Sequence, residues 1–189
     1  MALEALVGIP YHRETGPVEH HLLEGEIPRA NCQLATQLYL EKTRGFKLPP
    51  DAFLSSNAYN FTGNTYAEEF REQFRDPVFL SSILEPGQLV CAAGKRYAPE
   101  TPPFQLLTHF SDLDRLIHLA VVVGNRNSSD MRTQFPSIRD GIAPSDEDIR
   151  IFHASHKMGK GVGVWPLRDF MENYWVVRLK NLSRQPQQF

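Results

Sequence analysis

The first clear alternation of apolar and polar positions begins near Asn31. Leu34 and Leu38, then Ala35 and Tyr39, recur at i, i+4, the spacing of a helix with one buried face. Asn31 is placed to cap it, Gly45 to end it, and the Pro49-Pro50 pair prevents a restart. A second helix is predicted over Thr65 to Phe74, with Tyr66, Phe70 and Phe74 as its stripe and Thr65 with Glu68 as a capping box. The pattern then changes. Gln88–Ala92 follows a Pro86-Gly87 turn. Leu116–Val123 is rich in β-branched residues and closes on Gly124-Asn125. Ile149–Ala154, Val162–Trp165 and Tyr174–Leu179 complete a set of about five predicted strands.

Helices first and strands afterwards predict an α+β domain, its N-terminal helices packed on one side of an antiparallel sheet. Residues 1–30 read as an extended arm, 31–182 as one catalytic domain and 183–189 as a tail. Residues 95–111 and 126–148 fit neither period and read as long surface loops, of the kind that border active sites.

Composition narrows the function classes. The chain has 189 residues, 41% hydrophobic and 22% charged, with a net charge of −2. That suits one domain with a sizeable core and gives no basic excess for a nucleic acid or an anionic membrane. No apolar run has the length of a membrane span. The first residues lack the basic and apolar segments of a cleavable signal peptide, so the expected location is the cytoplasm, or export by another route. Cys32 and Cys91 are the two cysteines, too few for a disulfide framework in a domain of this size.

Cys32 falls in the first turn of the first helix. Partial positive charge and unpaired N–H groups there stabilise a thiolate and can receive an oxyanion. The competing reading is a small buried helix residue. His118 lies inside an apolar strand. It shares a face with Ala120 and Val122, while Ile117, Leu119, Val121 and Val123 share the other. A neutral imidazole with a small neighbour has room to take a proton from a thiol; the competing reading is a core histidine bonded to a carbonyl. His153, on the next strong strand, can orient the base by accepting from its other ring nitrogen, with His156 as a substitute. Cys91, mid-strand, reads as buried and inert. No metal site is expected: His20-His21 is an adjacent pair with no second ligand pair at helical spacing. The GKGVG run at residues 159–163 fits a hairpin better than a phosphate loop. No cofactor is implied.

Several of these segments, in this order, resemble the NlpC-type cysteine peptidases, papain-like bacterial cell-wall endopeptidases. Asn31-Cys32-Gln33 and its helix stand where that family has an Asp-Cys-Ser nucleophile turn. Pro86-Gly87-Gln88-Leu89-Val90 is similar to its Pro-Gly-Asp-Leu-Val strand. His118-Leu119-Ala120-Val121-Val122-Val123-Gly124 is similar to its catalytic-histidine strand, and Ile151-Phe152-His153-Ala154 to the strand that follows. Residues 162–179 resemble its last hairpin, and Gly8-Ile9-Pro10-Tyr11 a Gly-x-Pro-Tyr upstream of the nucleophile.

The resemblance implies Cys32 as nucleophile, His118 as base and His153 as orienting residue, with Tyr11 and Gln33 as substrate-binding residues. The implied substrate is a peptidoglycan-type peptide, cut at a γ-glutamyl-diamino acid bond. An immunity or regulatory protein is an implied partner. The chain departs from the pattern in the residues around the thiol, Asn-Cys-Gln-Leu for Asp-Cys-Ser-Gly, and in long intervals after Cys32 and between His118 and His153. These reshape a cleft more than a fold. An acyl or amide transferase shares the first half of the chemistry, and a non-catalytic binding domain shares the scaffold. Both stand beside the hydrolase.

Overall fold

A computed structural model describes residues 2–11, 30–46, 73–95 and 117–181. A 3-10 turn (Leu3–Leu6) precedes helix α1 (Cys32–Arg44). After a second 3-10 turn (Gln73–Arg75) come α2 (Pro77–Ile83), strand β1 (Leu89–Gly94) and strand β2 (Ile117–Gly124). Helices α3 (Ser129–Gln134) and α4 (Pro136–Asp140) lead to β3 (Arg150–Ser155), β4 (Gly161–Pro166), α5 (Leu167–Asn173) and β5 (Tyr174–Lys180). The strands form one antiparallel sheet in the order β4-β3-β2-β1-β5.

Helix α1 forms as the spacing predicts. Asn31 Oδ1 accepts from Leu34 N at 2.9 Å, and Gly45 closes the helix at φ 63°. Its Leu34, Ala35, Tyr39 and Leu40 are buried against Leu119, Val121, Val123 and Phe152, together with Met131 of α3. The opposite sheet face carries Ala120, Val122 and Ile151, covered by Leu80 of α2 and by Leu167, Phe170 and Met171 of α5. Period-2 alternation in β2 therefore serves two cores, one on each face.

A buried polar clamp fixes α1 to α3. Tyr39 Oη donates to Asp130 Oδ2 at 2.6 Å, and Arg44 reaches the same carboxylate at 2.6 and 3.2 Å. Gly87, at φ 89°, lies against the Arg44 guanidinium, where a side chain at that position would collide.

Three sequence expectations are corrected. Helices cover both faces of the sheet, because α2 and α5 bring apolar stripes that short, proline-started segments hid. Residues 126–148 are not one loop: Ser128 caps α3 through Met131 N, and Pro136 starts α4. Residues 162–179 are not a hairpin, since β4 and β5 lie at opposite edges of the sheet with α5 between them in the chain. Most of the helix predicted at 65–74 and of the 95–111 loop lies outside the described residues; Phe74 sits in the Gln73–Arg75 turn.

Candidate active site

Strand β2 pairs with β1 along its length, from Ile117↔Ala93 to Val121↔Leu89. Strand β3 likewise pairs with β4 as far as Ser155↔Gly161. Between β2 and β3, pairing stops at Val121↔Phe152. The paired register of the two strands thus ends before the segment that carries His118 and His153.

His118 and His153 join the two strands through their side chains. His118 Nε2 lies 2.7 Å from His153 Nδ1, a hydrogen bond between neutral rings. Both are buried, at 8% and 0% exposure. Burial, with His153 and Lys157 close by, holds the His118 pKa well below the usual imidazole range. Burial alone takes His153 down to about 3. Two rings hold the pair. Tyr174 stacks on His118 at 4.4 Å and 12°, Phe170 packs on Tyr174 at 5.0 Å, and His153 stands edge-on to both. The Tyr174 hydroxyl is 2.7 Å from Ser155 Oγ, which accepts from Lys157 N and Met158 N.

Cys32 arrives from the other face, at the start of α1. The residue is partly exposed while its thiol is shielded, and the nearby N–H groups of Leu119 in β2 and of Cys32 and Gln33 at the helix start act to lower its pKa. The thiol therefore approaches the β2 backbone one residue along from His118, whose ring packs on the opposite sheet face. No hydrogen bond joins Cys32 to the His118 ring among the described residues. The sequence placed the thiol correctly but not its resting charge. Burial pushes its pKa above the ordinary thiol value, and the three N–H donors, which pull it down, do not offset that. The resting pair is a neutral thiol and a neutral imidazole.

Tyr11 belongs to the same neighbourhood. Its N–H donates to Lys160 O at 2.8 Å, and its backbone bridges Ala30, whose N–H donates to Pro10 O at 3.0 Å. The arm thus ties the segment entering Cys32 to the β3–β4 turn. His156 meets Tyr11 edge-on at 6.0 Å. Gln33 contributes its amide, with its side chain half-buried. Cys91 is buried in β1. Among the described residues no group of three His, Cys, Asp or Glu side chains could hold a metal ion, and no helix is long and apolar enough to cross a membrane. His20 and His21 lie outside those residues.

Sequence reasoning missed Phe170, Tyr174 and the Leu119 amide. Tyr174 was legible only as the start of a strand, and Phe170 belongs to a helix that was read as hairpin. The amide becomes visible only in the strand register. The chain matches no family model, no curated protein and no solved structure.

Proposed function

We propose that this protein is a cysteine hydrolase that cleaves an amide bond through Cys32, His118 and His153. The observation that supports this reading is the bonded pair of buried histidines on β2 and β3, together with a thiol at a helix start that approaches the β2 backbone one residue along from His118. A neutral His118 has a free lone pair to accept a proton, the ring–ring bond fixes which nitrogen it turns away from His153, and substrate binding has to raise its basicity for the transfer from the thiol. In the proposed cycle the thiol rotates from Leu119 N–H toward His118. The imidazole takes its proton as sulfur attacks the substrate carbonyl. The tetrahedral oxyanion is received by amides at the start of α1. Collapse expels the amine, which leaves with the proton from His118, and forms a thioester on Cys32. Water, deprotonated by His118, then releases the acid and the free thiol.

The NlpC-type resemblance supplies the substrate class: a peptidoglycan-type peptide with a γ-glutamyl-diamino acid bond. Tyr11, whose backbone is tied to Ala30 and Lys160, is the residue the resemblance assigns to line that substrate. The test is release of free amine from such peptides by wild type, Cys32→Ala and His118→Ala. Activity confined to wild type supports the reading; equal activity in Cys32→Ala removes it.

A further inference from the structure

Backbone pairing between β2 and β3 ends at Val121↔Phe152, so side chains join the strand segments beyond it. One link is the bond between His118 and His153. The other connects strands that β2 and β1 separate: Ser155 Oγ of β3 lies 2.7 Å from Tyr174 Oη of β5. The Tyr174 ring reaches across β1 because the residues beside it there are small. Its own partner in β1 is Gly94, and His118 faces Ala92.

The hydrogen-bond inventory fixes the direction of this second link. A serine hydroxyl has one proton to give and two lone pairs to receive. Both lone pairs of Ser155 Oγ receive backbone protons, from Lys157 N at 3.1 Å and Met158 N at 3.2 Å. Its own proton therefore goes to Tyr174 Oη. Ser155 is buried, so that proton would be costly to leave without an acceptor. The turn after β3 thus holds the serine, the serine holds the phenol, and the phenol ring lies flat on His118 at 4.4 Å and 12°. Phe170, at 5.0 Å, and the Lys157 ammonium, at 5.3 Å, rest on the same ring.

We infer that Tyr174, anchored by the Ser155 hydroxyl, is a positioning residue that fixes the plane of His118 and with it the bond to His153. The inference rests on His118 being the base and adds a residue outside the Cys32, His118 and His153 set. A histidine ring turns about two side-chain bonds. The bond to His153 restrains one ring nitrogen, whereas a ring stacked flat on the imidazole restrains its plane. Together they leave one direction for the other nitrogen, the preorganisation that proton transfer needs. A stacked ring without its anchor can slide, so the hydroxyl matters as well as the ring.

Tyr174→Phe keeps the ring and removes the anchor. The first readout is solvent exchange, by NMR of the full chain, of the ring proton shared by His118 and His153. The expected result is exchange about tenfold faster for that proton, while the backbone amides of Val90 and Ala92 in β1 keep their protection. A general loss of stability would speed both. The second readout is amine release from the γ-glutamyl-diamino acid peptide. There kcat should fall roughly tenfold to a hundredfold with KM nearly unchanged. Adding Tyr174→Phe to Ser155→Ala should change neither readout further, because the bond is already gone. Unchanged ring-proton exchange in Tyr174→Phe, an unchanged kcat beside a loosened ring proton, or effects that add in the double variant each overturn the inference. If the variants do not fold, the wild type decides. A slowly exchanging Ser155 hydroxyl proton with a nuclear Overhauser contact to the Tyr174 ring supports the anchor, and a freely exchanging one overturns it. The exchange measurements need no turnover: a wild type that releases no amine removes the hydrolase, whereas the anchor stands or falls by the ring proton.

Discussion

Acid should unfold this protein through its histidine pair. Unfolded histidines take up a proton below about 6.5, whereas buried His118 and His153 stay neutral to much lower pH, about 3 for His153. Between those limits the unfolded chain binds more protons, so stability is fully present above 6.5 and is lost as pH falls. A group that stays neutral throughout contributes about 1.4 kcal/mol per pH unit, so His153 alone loses roughly 2–3 kcal/mol between pH 6.5 and 4.5, and His118 adds to the loss in the same direction. That is a substantial part of the roughly 5–15 kcal/mol typical of a domain. Asp146 acts in a separate window. Its pKa is lowered by the Asp148 N–H and by Arg150, so its contribution is lost only below the ordinary carboxylate range. Urea unfolding followed by fluorescence of Trp165 and Trp175 at pH 7, 6, 5 and 4.5 reads the slope. His153→Asn, which keeps an acceptor for His118, should flatten the slope by about half. A wild-type slope near zero, or an unchanged slope in His153→Asn, would refute the picture of two buried neutral rings.

Three further outcomes follow from particular contacts. Asp130→Ala leaves the Arg44 charge and the Tyr39 hydroxyl without their shared carboxylate, and should cost about 3 kcal/mol in urea unfolding. Gly87→Ala forces a left-handed residue against an Arg44 already pinned by Asp130, and should lower the melting temperature by several degrees, about 1–3 kcal/mol. Gly161→Ala pushes a side chain into the Ile9 carbonyl, and should loosen residues 8–11, seen as faster proteolysis near Tyr11 with the main unfolding transition kept.

How much of this was legible beforehand depends on the range of the interaction. Helix α1 and the five strands were readable because capping by Asn31 and Gly45, and alternation in β2, are local signals. The two faces of β2 were assigned correctly for the same reason. The short helices α2 and α5 were not, since seven residues give barely two turns of periodicity. The elements that carry Cys32, His118 and His153 were legible, and the geometry between them was not. Nothing local says that the β2–β3 register ends at Val121↔Phe152, nor that Tyr174, from the far edge strand's start, stacks on His118. The thiol's charge was misjudged because position in a helix is a sequence property, whereas burial is a property of the fold.

The most direct test of the central claim is covalent. Wild type and Cys32→Ala would be mixed with a peptidoglycan-type peptide carrying a γ-glutamyl-diamino acid bond, quenched in acid and analysed by mass spectrometry alongside amine release. The account predicts amine release by wild type alone, with the acyl fragment found on the Cys32 peptide. Equal amine release by Cys32→Ala, or an acyl group attached elsewhere, would contradict it.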